Sequence, residues 1–226
     1  MNKKHILLLK LVLCFAFGLI LNQTLFSQEV IYQKRILNTR MSEDYYTLKG
    51  NQSIKEGQYK LFMDDFICQM GNYKKNKRSG IWYIMSYMDG IDIVYNYDSQ
   101  ELIDFEKMYY ISYEDSTLRK PIYLGGMKYF MLSIKNLINC NQTLLGDKYL
   151  RISFDVDSCG IPSNFKVKLS CDIKALNLMS LDAVKKVATS DFKFLPAQKN
   201  GRAVSDIIEV QITYDSMRGI DVAPYN

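Results

Sequence analysis

Apolar and polar positions alternate in three stretches near the C-terminal end of the chain. From Tyr149 to Val156 every second residue is apolar, which is the period of a strand with one buried face. The same period returns from Asn164 to Ser170 and from Val204 to Tyr214. Between the first two stretches, the sequence Asp157-Ser158-Cys159-Gly160 favours a tight turn, because Asp suits its first position and Gly its left-handed last position. The pattern predicts two paired strands followed by a third.

Two other stretches have the three- and four-residue spacing of a helix with one buried face. The first apolar set is Met127, Phe130, Met131, Ile134, Leu137 and Ile138. The second is Leu176, Met179, Ala183, Val184 and Val187, for which Ser180 offers an N-cap hydroxyl. Pro196-Ala197 and the turn pair Asn200-Gly201 then lead into the last strand. These elements predict an α+β unit over residues 120 to 215, with a β-β-α-β antiparallel sheet packed by two helices.

This C-terminal unit resembles the C-terminal domain of TonB-type energy transducers of Gram-negative bacteria. The family's Val-Asp-x-x-Gly hairpin corresponds to Val156, Asp157 and Gly160, and its aromatic-Lys-x-Pro-Ala-x-x-x-Gly stretch corresponds approximately to Phe192 to Gly201. Its Pro-x-x-x-Gly-Gly entry into a first helix corresponds to Pro121, Gly125 and Gly126. The long Pro-rich spacer of working transducers has no counterpart, since all four prolines lie at or beyond Pro121.

The N-terminal half is rich in tyrosine and punctuated by glycine. Gly57-Gln58-Tyr59-Lys60 recurs as Gly80-Ile81-Trp82-Tyr83, a spacing typical of repeat architectures. The stretch "GNYKKNKRSGIWYIMSYMDG" resembles MORN-like repeats, which are short Gly-aromatic β-hairpins. We therefore expect a MORN-like β-hairpin meander over residues 28 to 115, with the lysine cluster Lys74 to Arg78 at a solvated hairpin tip.

The first 27 residues have the layout of a secretory signal peptide. A basic start at Asn2-Lys3-Lys4-His5 precedes an apolar run from Leu11 to Leu21, and polar residues follow before Gln28. Export to the periplasm or cell envelope is the expected fate. The alternative is an uncleaved anchor, with residues 6 to 22 in the inner membrane.

The composition of the chain makes several classes of binding and catalytic site unexpected. The formal charge of +5 is modest and spread over both halves, so nucleic acid is not an expected partner. The single histidine, His5, lies in the leader, which leaves no imidazole for common hydrolase mechanisms or zinc ligation. No Gly-rich phosphate loop is present, and Asp155, Asp157 and Asp172 lack calcium-loop spacing. We expect no enzyme activity, no cofactor and no metal.

Cleavage of the leader would leave four cysteines in an oxidising compartment: Cys68, Cys140, Cys159 and Cys171. Cys159 and Cys171 should lie at opposite ends of one strand, too far apart for a bridge. Cys140 and Cys171 are the one pair for which a disulfide is predicted. Four unpaired thiols are the alternative.

The last predicted strand suggests a binding mode. Residues 216 to 226 are expected to form a loose tail, so this strand would lie at a sheet edge and pair with an extended peptide. The alternative is that the tail or the N-terminal half covers the edge. The predicted partner-binding residues are Val204, Ile208, Glu209, Val210, Gln211, Ile212, Thr213 and Tyr214, of which Glu209, Gln211 and Thr213 face outward.

These expectations combine into an exported, non-catalytic cell-envelope protein that binds another envelope protein or an extended peptide by strand addition. The TonB resemblance implies an outer-membrane transporter as one such partner, because family members pair with the N-terminal box of these transporters. A membrane-anchored TonB-type energy transducer that supports outer-membrane transport is the alternative function.

Overall fold

The computed structural model describes residues 29–85, 90–112, 114–138, 148–190, 192–215 and 219–224. The leader predicted for residues 1 to 27 lies outside these ranges. The described residues form an α+β structure dominated by antiparallel sheets. Its N-terminal half contains β1 (Val30–Ile36), β2 (Met41–Leu48), β3 (Asn51–Met63), β4 (Phe66–Lys74), β5 (Lys77–Met85), β6 (Ile91–Asn96) and β7 (Glu101–Phe105).

These seven strands form one sheet in which each strand pairs with its neighbours in the chain. Two of the hairpin turns consist of two residues with positive φ: Asp64 and Asp65 (48° and 67°) and Lys75 and Asn76 (49° and 67°). Such turns match the twist of the strands that they join. The strands β1 to β7 thus form a hairpin meander, whose MORN-like character stays a prediction, and Lys74, Lys75 and Lys77 are exposed at the β4–β5 turn. Arg78, predicted to be solvated with them, instead lies over the Trp82 and Phe192 rings, 4.0 and 4.2 Å from their centroids.

A connecting region follows, with α1 (Lys107–Tyr110), β8 (Leu118–Arg119), β9 (Ile122–Tyr123) and α2 (Met127–Leu137). The C-terminal half contains β10 (Lys148–Val156), β11 (Pro162–Leu169), α3 (Lys174–Ala188), β12 (Phe194–Leu195), β13 (Ala197–Lys199), β14 (Arg202–Val204), β15 (Asp206–Asp215) and β16 (Gly219–Pro224). The short strands form two small sheets, one of β9 and β12 and one of β8, β13 and β14.

The C-terminal sheet has the strand order β11-β10-β15-β16. The alternating residues of β10 and β15 point to one face, where Leu150, Ile152, Phe154 and Val156 are fully buried. On that face α3 lies against β10 and β11, α2 lies against β16, and the two helices contact each other. The first two predicted strands, the two helices and the turns at Asp157 to Gly160 and Asn200-Gly201 are confirmed. The strand predicted for residues 204 to 214 is interrupted at Ser205, which separates β14 from β15.

Two predicted details of the helices are wrong. Ser180 lies inside α3, which begins six residues earlier after Ile173; its buried hydroxyl is 2.7 Å from the Tyr214 hydroxyl. Leu137, predicted on the buried face of α2, is 38% exposed, whereas Leu132 on another side of α2 is buried. Leu132 is buried because the meander covers a second side of α2, whereas Leu137 is the last residue of the helix.

Helix α2 joins the two halves of the molecule. Phe130 and Ile134 belong to the core of the C-terminal sheet, whereas Leu132 belongs to the core of the meander together with Trp82. A hydrogen bond at the start of this helix adds to the junction: the Gln69 Nε2 donates to the Gly125 carbonyl oxygen at 2.6 Å. Gln69 is fully buried, so this contact is shielded from water.

Candidate functional site

The strand predicted to bind a partner does not lie at a sheet edge. β15 pairs with β10 on one side and with β16 on the other, so the edge position predicted for residues 204 to 214 is wrong. The expected loose tail is also wrong, because its residues Gly219–Pro224 form β16 and bury Ile220 and Val222 against the core. The tail covers this edge, which is the alternative that the sequence left open.

The individual predicted residues are placed as follows. Val204 ends β14 and pairs with Ala197, away from the other seven. Ile208, Val210, Ile212 and Tyr214 are buried in the core, while Glu209, Gln211 and Thr213 alternate with them on the opposite face. Glu209 faces Arg151 of β10, with 3.7 Å between their charged atoms. Seven of the eight predicted residues, all but Val204, thus belong to the central strand β15.

The predicted disulfide cannot be examined at both ends. Cys140 lies outside the described residues, and Cys171 has a free, half-buried thiol whose Sγ is 3.5 Å from the Ile173 carbonyl oxygen. The Cys140–Cys171 pairing therefore stays a prediction.

Among the described residues, the two main sheets end in four strands that each have one unpaired edge: β1, β7, β11 and β16. Exposed edges invite pairing with other chains, and proteins usually protect them with bulges, charges, prolines or short strands.

Three of the edges carry such protection. β7 has only five residues, includes Glu101 and Asp104, and has an irregular register against β6. β11 has two register shifts against β10, a left-handed residue at Asn164 (φ 53°), and exposed lysines at positions 166 and 168. β16 has six residues, carries the exposed Asp221 and ends at Pro224.

β1 has a regular edge. It pairs with β2 over seven consecutive residues without a register shift. Val30 is 42% exposed, Tyr32 50% and Ile36 77%, so three large apolar side chains of one strand reach solvent. An edge strand with a regular register and exposed apolar side chains is the kind of edge that accepts another strand, and Lys34 and Arg35 are the two charged residues on it.

Two hydrogen bonds identify the backbone groups of β1 that point to its unpaired edge. The Lys49 N–H donates to the Glu29 carbonyl oxygen and the Leu37 N–H to that of Met41, each at 2.9 Å. Hydrogen-bonded and non-hydrogen-bonded pairs alternate in an antiparallel ladder, so the odd-numbered residues of β1 direct their backbone groups to β2. The N–H and C=O groups that point to the free edge belong to Val30, Tyr32, Lys34 and Ile36.

The Arg35 side chain of β1 forms an ion pair with the neighbouring strand β2. The Arg35 Nη2 lies 2.6 Å from the Glu43 Oε1, and Glu43 is almost fully buried. Glu43 also accepts hydrogen bonds from the Tyr59 hydroxyl at 2.9 Å and the Lys55 Nζ at 3.1 Å. Burial, followed by the Glu43 carboxylate, raises the pKa of Tyr59. This network holds the Arg35 side chain of β1 against β2, so that side chain is already paired. The backbone groups at the unpaired edge of β1 therefore remain as the groups that another strand could bind.

On the other face of the strand, the Tyr32 ring lies edge-on to the Tyr46 ring at a centroid distance of 5.8 Å. A hydrogen bond to Asp44 is the main cause that raises the pKa of Tyr32. Tyr32 is therefore held in place as a half-exposed aromatic contact beside the free backbone groups.

The sequence did not reveal this edge because β1 and β2 lack one-sided apolar alternation. The buried face of β2 consists of Met41, Glu43, Tyr45 and Thr47, where polar residues occupy positions that a pattern search expects to be apolar. The available signal was the group Val30-Ile31-Tyr32, which has β-forming side chains next to one another.

No family model, curated protein or solved structure matches this chain. Within the described ranges, no helix is long and apolar enough to cross a membrane. In the same part of the chain, no group of three or more His, Cys, Asp or Glu side chains is arranged to hold a metal ion.

Proposed function

We propose that this chain is an exported, non-catalytic cell-envelope protein that binds another polypeptide by strand addition, and that β1 is the binding strand. The observation that carries the proposal is the contrast between β1 and the three protected edges. The main chain of Val30, Tyr32, Lys34 and Ile36 would pair with the incoming strand and give affinity. The exposed side chains of Tyr32 and Ile36 would give selectivity.

Two parts of the proposal rest on the sequence. The arrangement of residues 1 to 27 supports export, and the lack of histidine beyond His5 supports a non-catalytic role. We also propose that the C-terminal half is a TonB-like domain, supported by the order of β10, β11, α3 and β15, with β16 as an added strand. Sequencing of the mature N-terminus from cell fractions tests the export proposal: a start near Gln28 supports a cleaved leader, and a start at Met1 in the membrane fraction contradicts it.

Proline substitution tests the edge, because proline removes a backbone donor. Lys34→Pro would remove an outward N–H and leave the hydrogen bonds to β2 intact, and its neighbour Gln33 is already extended. Lys34→Ala is the matched control, since it removes the same charge but keeps the N–H. Dodecapeptides would be selected from a random display library on the purified wild-type protein and then titrated against both variants.

We expect Lys34→Ala to bind the selected peptides as the wild type does and Lys34→Pro to bind them at least tenfold more weakly. Thermal unfolding should be similar for both variants. Equal binding by the two variants would show that β1 is not the binding strand. Dimerisation of the wild type that Lys34→Pro abolishes, without peptide binding, would show that β1 pairs with a second copy instead.

A further inference from the structure

A groove lies in the C-terminal half, and none of its lining residues belongs to β1. It has a volume of about 410 Å³. Its walls are the β10–β11 hairpin tip (residues 159–162), the end of α3 and the following turn (188–190), and the segment 192–194. This volume is within the range of ligand-binding clefts, about 300–1,000 Å³.

The hairpin tip that forms one wall is held rigidly. The Asp157 Oδ1 accepts hydrogen bonds from the Cys159 N–H at 2.9 Å and the Ile161 N–H at 2.8 Å. Gly160 has φ 80°, and a Cβ at this position would lie 2.1 Å from the Phe194 carbonyl oxygen. Only glycine therefore allows the tip to lie directly on the backbone of segment 192–194, so the wall is fixed in place.

The interior of the groove is largely apolar. Phe194 and Ala188 are buried beneath it, Phe192 is half-buried, and Ile161 is 58% exposed at the tip. Phe194 is anchored by Tyr123, with ring centroids 5.0 Å apart. An apolar side chain placed here would replace water over aromatic and aliphatic surfaces, which is favourable.

Lys193 is the charged side chain among the described residues that line the groove, and two further lysines precede its α3 wall in the chain. Lys185 and Lys186 lie in the last turn of α3, and Lys193 lines the groove; all three are exposed. Among the described residues, none of the ion pairs involves these lysines. Asp157, the acid at the tip, already accepts two backbone hydrogen bonds. The helix dipole favours positive charge in the last turn of α3, which is a structural reason for Lys185 and Lys186. Lys193 lies beyond the helix, so the dipole gives no such reason for it.

We propose that this groove binds an acidic, extended polypeptide segment, with one apolar side chain inside the groove and acidic side chains beside the three lysines. The charge of the rim selects acidic residues. This site is separate from β1 and does not depend on strand addition there.

The probe for this site is a fluorescein-labelled peptide of sequence Glu-Glu-Leu-Glu-Phe-Glu-Leu-Glu, titrated against the full chain by fluorescence anisotropy. We expect saturable binding that weakens with added salt. The triple variant Lys185→Glu/Lys186→Glu/Lys193→Glu should weaken binding at least tenfold. Cys159→Trp, which places a bulky ring in the groove from an exposed position, should also weaken it severalfold.

The matched control reverses three exposed lysines at the β4–β5 turn: Lys74→Glu/Lys75→Glu/Lys77→Glu. It makes the same change in net charge and should bind the probe nearly as the wild type does. Lys34→Pro should also bind normally, which separates this site from the β1 proposal. Circular dichroism would establish that each variant is folded.

Three outcomes would overturn the proposal: equal weakening by both triple variants, no saturable binding of the probe, or equal binding of a control peptide with serine in place of Leu and Phe. Groove-dependent binding to vesicles of anionic phospholipid, with no binding of the peptide, would also overturn it by showing that the groove binds lipid.

Discussion

The two main sheets of this protein bury their inner faces with different side chains. The C-terminal sheet buries aliphatic and aromatic residues from its strands and helices, and the buried polar side chains described there are the serines Ser153 and Ser180. The buried polar side chains described in the meander are Glu43, Thr47, Gln69 and Asp92, and its apolar core includes Tyr59 and Trp82. Burial of apolar area stabilises the folded state whichever apolar groups cover it, whereas a buried polar group requires a specific hydrogen-bond or ion-pair partner.

This difference gives the two halves different sensitivities. The C-terminal half should respond mainly to loss of volume, and the meander to loss of a charge or of its partner. The following predictions test this contrast in order of decreasing effect.

The largest effect is expected for Phe154→Ala in the C-terminal core. Phe154 is fully buried and stacks on Phe165 with ring centroids 5.0 Å apart, so its removal should cost about 3–5 kcal/mol of unfolding free energy. Urea unfolding would be followed by circular dichroism and by fluorescence of Trp82, the single tryptophan, which lies in the meander.

The shared helix α2 predicts that both signals shift together for Phe154→Ala. A shift in circular dichroism alone would mean that the meander unfolds independently and that the two halves are not coupled. Ile207→Ala is the control in the same sheet, because Ile207 is 45% exposed and its loss should change stability by less than about 1 kcal/mol.

The second effect concerns pH and Asp92. Burial raises the pKa of Asp92 to about 6, although a hydrogen bond from the Tyr110 hydroxyl acts in the opposite direction. The folded state therefore binds this proton more tightly than the unfolded state. The resulting stability is present below about pH 4 and is lost as the pH rises through about 6.

Asp92→Asn should remove the loss of stability at high pH, because an asparagine side chain cannot ionise. Its amide oxygen can still accept the hydrogen bond from the Tyr110 hydroxyl. We expect the variant to be more stable than the wild type by about 3 kcal/mol at pH 7 and nearly equal at pH 4. Chemical unfolding at both pH values measures the difference. The exposed Asp98→Asn should leave the pH dependence unchanged, and an equal effect of both variants would contradict the role of Asp92.

The third effect concerns Glu43, which holds Arg35, Lys55 and Tyr59 together. Lys55 also lies over the Tyr45 and Tyr59 rings, with its Nζ 4.6 and 4.8 Å from their centroids. Glu43→Ala should cost about 2 kcal/mol, because it leaves the partly buried Lys55 without its carboxylate.

A double-mutant cycle with Lys55→Met measures this coupling. We expect the double variant to recover part of the loss, since the uncompensated charge is removed together with its partner. Additive losses would show that Glu43 stabilises the meander without help from Lys55.

The smallest effect is expected for Ser180→Ala in α3. Its hydroxyl makes the 2.7 Å contact with the Tyr214 hydroxyl inside an otherwise apolar core, so its loss should cost about 1 kcal/mol. Ser163→Ala, at an exposed position of β11, is the control and should change the unfolding free energy by less than about 0.5 kcal/mol. A loss above that of Glu43→Ala would reverse the contrast between the two sheets.

The same contrast explains how much of the structure the sequence predicted. Alternation in β10 and β15 and the Asn200-Gly201 turn have local causes, so they were read correctly. The start of α3 was missed because it has no side-chain cap, and a buried serine was taken as one. β16 was missed because only Ile220 and Val222 point inward, too few for a pattern.

The candidate site itself was not predictable from local pattern. Which strand is left unpaired depends on pairings between residues far apart in the chain, as in the contact between β10 and β15. The buried Glu43 hides the strand character of β2, because its burial depends on Arg35, Lys55 and Tyr59 arriving from other positions.

The backbone groups of β1 that have no partner among the described residues would have a consequence for the evolution of a partner bound by strand addition. Main-chain pairing is blind to amino-acid identity, so substitutions in the bound segment would leave most of the interaction in place unless they introduced proline. Only the positions beside Tyr32 and Ile36 would be under constraint. Partners of this protein could thus diverge widely in sequence while they share an extended conformation and two apolar residues in register.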